Sequence, residues 1–450
     1  MSSLAFVNSL SSGQLVSSGS KGSHPASQVT QRRAPSPIVC QAGQQSPQDG
    51  SRIKKAILSS AIAAALAFSP AIVGVDQMQA QAIRNTVNGG STFQSSSGRV
   101  NKDAESLLRW GLPVQEKNIR EIQANLEEIT YDIRAFKWNA IENDVKKTIK
   151  VLDKKSDDIL KAVAEGKRES GSEVLASVRG RMDELKVLVA AKSSDEVISL
   201  QRDILREVGR LEQMMIEKFP YEIPEEYKDL PKLLGRAVVE MNFKKVDGGK
   251  FDIEGELFKT AKMTMVVDGY NAPISAGNFV DLVKRGFYNK LEITRSDGFV
   301  VQTGDPAGDV DGFIDPKTEK IRKIPLEIFA RGDKTPTYGI TLEDDGRATA
   351  NTVLPFTSYG TMAMAREEFS ADSGSSQFFW FLFEPDLTPA GRNLLDGRYS
   401  VFGYVVEGGF FLRDLKQGDV IVDAKVVAGL ENFDGPKDVV EYKGAELERG

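Results

Sequence analysis

Histidine and cysteine are almost missing from this chain: one of each, His24 and Cys40, in 450 residues. A single cysteine closes no intramolecular disulfide. Both residues fall in a stretch that lacks something else, since residues 1–48 contain no Asp or Glu, twelve serines, and only Lys21, Arg32 and Arg33 as charges. Ser-rich, acid-free composition of this kind belongs to an organelle transit peptide. Residues 49–82 then bring the basic Arg52, Lys54 and Lys55, the apolar run 56–75 and the small-residue motif Ala80-Gln81-Ala82, which are the three parts of a cleavable export signal. The tandem predicts a chloroplast transit peptide (1–48) followed by a thylakoid lumenal transfer signal (49–82), with cleavage near Ala82 and a soluble or peripherally associated protein in the thylakoid lumen. A retained membrane anchor is the competing reading, weakened by Ser59, Ser60, Ser69 and Pro70 inside the run. No paired arginine directly precedes the run, which favours Sec-like crossing of an unfolded chain.

Cleavage there would leave a chain with neither cysteine nor histidine. That excludes a thiol nucleophile, a Ser-His-Asp triad, an imidazole base and nearly every zinc site, so any catalysis rests on carboxylates, Arg, Lys, Tyr or shape. Six of the 58 basic and two of the 64 acidic side chains precede Ile83, so the remainder carries a net charge of −10. Such a balance argues against a nucleic-acid partner.

The remainder divides by texture. A Gly/Ser/Asn-rich, flexible lead (83–101) precedes a helical region (102–219), in which Ile119, Ile122, Leu126, Ile129, Ile133, Phe136 and Ala140 recur at spacings of three and four. Ile141, Val145, Ile149 and Leu152 form a second stripe. Gly166 reads as a helix end, and Ser170-x-x-Glu173 and Ser193-x-x-Glu196 read as capping boxes of two further helices. Short connections predict an antiparallel bundle of four or five helices; a leucine-zipper dimer is the alternative, against which the heptad phase breaks at Gly166 and Ser170. Pro220, Pro224 and Pro231 mark a stiff linker (220–232). From 233 to 450 the pattern changes to short β-branched and aromatic runs (237–243, 261–267, 299–302, 377–383 and 399–406) separated by turns such as Asp247-Gly248 and Asp297-Gly298, with helix-like interruptions at 275–286 and 408–418.

Within that β-rich region six blocks occur in order: Ala272-Pro273-x4-Asn278-Phe279; Gly286-Phe287-Tyr288-Asn289; Arg295-x3-Phe299-Val300-Val301-Gln302-Thr303-Gly304-Asp305-Pro306; Met362-Ala363-Met364-Ala365; Ser375-Ser376-Gln377-Phe378-Phe379; and Leu395-Asp396-Gly397-x3-Val401-Phe402-Gly403. The set resembles the signature of cyclophilin peptidyl-prolyl isomerases, and with its targeting signals and helical half the whole chain resembles the large thylakoid-lumen cyclophilins of plants. The resemblance implies an α+β two-domain protein, a helical bundle followed by a cyclophilin-like eight-stranded antiparallel β-barrel with two capping helices. It implies Arg295 and Gln302 as catalytic residues and Phe299, Val300, Ala363, Met364, Gln377, Phe379, Leu394, Leu395 and Tyr399 as the substrate pocket, with no cofactor and no metal. Isomerising an X-Pro bond makes and breaks no covalent bond. The enzyme lowers a barrier of roughly 18–20 kcal/mol by binding the twisted amide better than the planar one, which an arginine beside the amide and an apolar seat for the ring can do without histidine or cysteine.

Against the family's usual blocks Thr294, Val300, Met364, Leu394 and Tyr399 are departures, and they remove polar groups from the groove. The resemblance implies two classes of function. One is an isomerase and chaperone assisting folding and assembly of photosystem II proteins through their proline-containing segments. The other is a non-catalytic immunophilin that binds peptides or a membrane partner such as a thylakoid protein phosphatase, regulated by contact between its helical domain and its cyclophilin domain. Trp110, Tyr131 and Trp138 stand off the main helical stripes as candidate anchors for that contact. Segment 305–361 is loop-rich, with Asp309, Asp311 and Asp315 and, past Pro306, Pro316, Pro325, Pro336 and Pro355; an exposed binding or packing insertion fits it better than a calcium loop, of which it holds a fragment.

Overall fold

The computed structural model describes residues 100–382, 393–437 and Tyr442. Both expected targeting segments and residues 83–99 of the expected lead lie outside the described residues.

The helical half consists, among the described residues, of α1 (Ala104–Gly111), α2 (Lys117–Arg134), α3 (Trp138–Ala162), α4 (Arg168–Ala191) and α5 (Ser194–Met214). Carboxylates start the first two: Asp103 accepts from the Glu105 N–H, and Glu116 accepts from the N–H groups of Asn118 and Ile119. The apolar stripes then bury one core holding Ile119, Ile122, Leu126, Ile129 and Ile133 with Ile141, Val145, Leu152, Met182, Leu185, Ile204 and Leu211. Three expectations are corrected. The first stripe does not run through Phe136 and Ala140, because the chain turns at Ala135–Lys137, where Phe136 adopts φ +55° and is 80% exposed. Ser170 lies inside α4 and caps nothing, since a 3-10 turn at Glu165–Lys167 runs straight into that helix. Ser193 does precede α5, without a side-chain hydrogen bond to it.

The linker does not stand clear of the β half. Tyr221 donates its hydroxyl to the Tyr270 carbonyl and meets the Phe329 ring edge-on, and Tyr227 packs on Tyr338.

The β half contains eight strands of one antiparallel sheet: β1 (Arg236–Lys244), β2 (Ala261–Asp268), β3 (Arg295–Ser296), β4 (Val300–Thr303), β5 (Thr361–Met364), β6 (Phe378–Phe381), β7 (Val401–Glu407) and β8 (Val420–Ala428). Their order is β8-β1-β2-β7-β5-β6-β4-β3. The sheet closes on itself through the segment before β3, where Glu292 bridges Val420 and Leu291 and Ile293 exchange backbone hydrogen bonds with Ile421, Asp419 and Gly418. A closed sheet leaves no unpaired edge. Alternation sends Val239, Met241, Phe243, Met263, Met265, Val301, Met362, Phe378, Trp380 and Phe402 inward, where α6 (Pro273–Lys284) covers them with Phe279 and Val280. The second expected capping helix is a correction: Gly409–Arg413 is a single 3-10 turn, too short for an α-helix. Lys232–Leu233 pairs with Phe433–Asp434, so the start and end of this domain meet.

Two short hairpins, Ile314–Asp315 with Lys320–Ile321 and Glu327–Ile328 with Thr337–Tyr338, organise the insertion between β4 and β5. It has a small core of its own in Leu326, Ile328, Ala330 and Leu342.

Candidate functional site

Strand register assembles the site. Arg295 on β3 pairs with Gln302 on β4, Gln302 with Phe379 on β6, Phe379 with Ala363 on β5, and Ala363 with Val401 on β7. Directly paired residues share a face of a sheet, so these five side chains form one row across the outside of the barrel. Two residues along β4, β6 and β5, and three along β7 where the register with β5 shifts, Val300, Phe381, Thr361 and Tyr404 form a second row. The inner row between them is Val301, Trp380 and Met362.

That parity corrects one expected pocket residue. Met364 pairs with Phe378 and belongs to the barrel interior, one residue out of phase with Ala363. Phe299, Val300, Ala363, Phe379, Leu395 and Tyr399 do come together in one apolar cluster. Gln377 is polar wall rather than apolar seat: its Oε1 accepts from Gln302 Nε2 at 2.9 Å, and its Nε2 donates to Asp305 at 3.2 Å. Leu394 stands at the rim, 51% exposed, while the next residue, Leu395, is buried.

Local sequence explains how the arginine is held. Asp297 and Gly298 make the β3–β4 turn: Asp297 Oδ1 accepts from the N–H groups of Phe299 (3.0 Å) and Val300 (3.1 Å), and Gly298 supplies φ +84°. Asp297 Oδ2 takes Arg295 Nε at 2.6 Å and also contacts Nη2. Across the groove, Tyr399 meets Phe379 edge-on with ring centroids 5.5 Å apart, and the Arg366 guanidinium lies 5.0 Å from the centre of the Tyr399 ring. Burial raises the Tyr399 phenol above its ordinary pKa, with Arg366, Arg398 and Arg295 pulling the other way. The phenol is therefore a neutral hydroxyl at physiological pH.

The apolar cluster also contains residues that sequence reasoning did not place there. Phe356 of the insertion stacks on Phe379 (centroids 6.2 Å apart, planes 9° apart) and meets Phe381 edge-on at 5.5 Å. Its backbone N–H donates to Asp396, and Tyr404 donates to the carbonyl of Pro355. Leu107 and Leu108 of α1 join the same cluster from the helical side. Val300, Ala363, Phe379 and Leu395 are consequently all buried by neighbouring side chains of this chain. A void of about 10 Å³ lined by Phe356, Tyr399 and Val401 has room for about one water molecule. The Leu354-Pro355-Phe356 triplet was the available signal, as an apolar island in a polar loop region. Trp110 and Trp138, expected as interface anchors, serve the bundle: Trp110 donates to Glu127 at 2.7 Å, and Trp138 packs on the helical core. Among the described residues no three Asp, Glu, His or Cys side chains gather in a metal-binding arrangement.

A closed antiparallel barrel carrying an arginine, a glutamine and an apolar seat on its outer face is the arrangement of a prolyl isomerase of cyclophilin type. Residues 252–430 match the family described as cyclophilin type peptidyl-prolyl cis-trans isomerase, and residues 103–216 match the PsbQ-like domain of CYP38-like peptidyl-prolyl cis-trans isomerases. The chain is 50% identical over 343 residues to the chloroplastic peptidyl-prolyl cis-trans isomerase CYP38 of Arabidopsis thaliana, covering 76% of this chain and 77% of that one. It is 45% identical over 339 residues to a Synechocystis protein named as a thylakoid lumen peptidyl-prolyl cis-trans isomerase, covering 75% and 86% of the two. The chloroplastic CYP37 of Arabidopsis thaliana is 31% identical over 357 residues, 77% of this chain and 74% of that one. The chain belongs to the cyclophilin-type peptidyl-prolyl cis-trans isomerases, in the branch that joins a PsbQ-like helical domain to the barrel.

Proposed function

We propose that this protein works in the thylakoid lumen of a chloroplast, where its groove binds and isomerises proline-containing segments of photosystem II or other thylakoid proteins during folding and assembly. The row Arg295–Gln302–Phe379–Ala363 carries the reading, because it sets a cation beside an apolar seat on one face of a rigid sheet. The X-Pro amide loses its resonance in the transition state, and its nitrogen pyramidalises. A guanidinium donor stabilises that twisted amide more than the planar one, while the apolar seat fixes the ring. Support for the compartment comes from the two tandem targeting segments and from the names of the relatives. A proline-peptide exchange assay tests the activity: turnover by the full chain that falls by on the order of a hundredfold or more in Arg295→Ala is expected, and equal turnover in the two would refute it.

One observation favours a second reading, in which the groove is a regulated peptide grip rather than a working enzyme. Phe356 and Leu354 from the insertion, with Leu107 and Leu108 from α1, share the apolar cluster of the seat. On this reading a client segment or a membrane partner such as a thylakoid protein phosphatase binds where those groups move aside, and the helical domain limits access.

A further inference from the structure

We propose that Asp297 is a positioning residue for this groove, which locks Arg295 through Nε and Nη2 and leaves Nη1 as the donor offered to a bound proline amide. The inference rests on the isomerase reading above and deepens it.

One carboxylate holds two things at once. Its Oδ1 folds the β3–β4 turn by accepting from Phe299 and Val300, and so sets part of the apolar seat. Its Oδ2 accepts from Arg295 Nε and contacts Nη2. Cation and seat are thereby tied to a single side chain, on a turn between two strands rather than on a free loop. Gln302, the cross-strand neighbour of Arg295, does not share this task, since its amide donates to Gln377.

The guanidinium is left with one nitrogen that has no hydrogen-bond partner. Arg295 Nη1 is buried and makes no hydrogen bond among the described residues. A buried unpaired donor costs free energy, most of all when it is charged, and such a cost persists where binding a ligand removes it. An unclamped arginine would rotate about its side-chain torsions and satisfy Nη1 with water. Clamping Nε and Nη2 prevents that rotation, so the donor stays dry and in place for an amide whose basicity rises as it twists. Fold stability does not account for the pair, because an ion pair two residues apart, with side chains 16% and 33% exposed, contributes little to it. Arg295 also acts electrostatically on Tyr399, which places the held cation within range of the far wall of the groove.

Asp297→Asn separates the two tasks: its amide oxygen can still accept from Phe299 and Val300, while the amide nitrogen presents donors to Arg295 and releases it. In the full chain, proline-peptide exchange should show kcat reduced by about tenfold with peptide affinity changed by less than about twofold, because orientation and not binding is lost. The side-chain Nε–H signal of Arg295, assigned by its loss in Arg295→Lys, should shift and exchange faster with water in Asp297→Asn. Unchanged or increased kcat overturns the proposal, an increase meaning that Asp297 masks the arginine. An unmoved Arg295 signal overturns it equally. Asp297→Ser, which keeps a turn-capping oxygen but cannot reach the guanidinium, repeats the test should the asparagine variant fold poorly. If the wild-type chain turns over no peptide, the isomerase reading fails by itself; the clamp is then judged by whether Arg295 shows slow Nε–H exchange that Asp297→Asn abolishes.

Discussion

Single side chains in this protein often answer to two demands, and Glu327 shows what that does to its ionisation. Its carboxylate accepts from the backbone N–H groups of Ile274 and Ser275 and so caps α6, a setting that favours the charged form. Complete burial outweighs this and pushes the carboxyl up from 4.5 to about 7. The folded state therefore holds the proton more tightly than the unfolded chain. The resulting stabilisation is fully present below the unfolded pKa of 4.5 and is lost as the pH rises through about 7. Stability should increase by on the order of 3 kcal/mol from this group as the pH falls from 8 to 5, and Glu327→Gln, fixed in a neutral form, should flatten that part of the curve in denaturant titrations at each pH. A variant with the same slope as the wild type would count against the dominance of burial. Glu212 in the bundle moves in the same direction, because its burial outweighs the Arg120 guanidinium 3.0 Å away.

Elements are harder to read from sequence where their limits depend on something other than composition. The break between α2 and α3 comes at Ala135-Phe136-Lys137, with neither glycine nor proline to mark it, and Phe136 pays for the left-handed turn with φ +55° and an exposed ring. Phe136→Asn should stabilise the protein by about 0.5–1 kcal/mol, measured by chemical denaturation, because asparagine enters that region of φ/ψ more readily than phenylalanine. A destabilised variant would show that the ring is held by contacts worth more than the strain. The barrel was more legible than the bundle, since alternation and signature blocks both bear on it: strands expected at 237–243 and 261–267 are found at Arg236–Lys244 and Ala261–Asp268. The same alternation, applied strictly, would have turned Met364 inward once Ala363 was assigned outward. The apolar triplet 354–356 marks a segment that seeks burial, but no local pattern names its partner Phe379 or brings Leu107 to their cluster, because those contacts join segments far apart in the chain and depend on how the insertion and α1 lie over the sheet.

Among the described residues, α1 is a main junction between the helical and barrel halves. Its Leu107 and Leu108 enter the apolar cluster of the groove, the carbonyl of Leu108 accepts from Arg236, and the carbonyl of Gly111 accepts from Asn271 Nδ2 at 2.8 Å. Gly111 is tightly placed, for a β-carbon there would sit 3.2 Å from Asn271 and 3.3 Å from Leu354. On the bundle side Arg206 joins Glu105 of α1 to Glu407 of the barrel. Helical and barrel signals should consequently disappear in one transition on urea titration of the wild type. Leu107→Ala, which empties a fully buried site, should cost about 2–5 kcal/mol and separate the two transitions. Coincident loss in the variant would mean that the halves are joined elsewhere. The strand pairing has a further consequence in time. The bundle is made of neighbouring helices and can form as soon as its residues emerge, whereas the barrel has to wait for β8 to reach β1 and for Phe433–Asp434 to clasp Lys232–Leu233. A chain released amino end first, from a ribosome or from a translocation pore, thus presents a finished helical platform while its barrel is still open, and the late arrival of the closing strand and its clasp decides when the groove first exists.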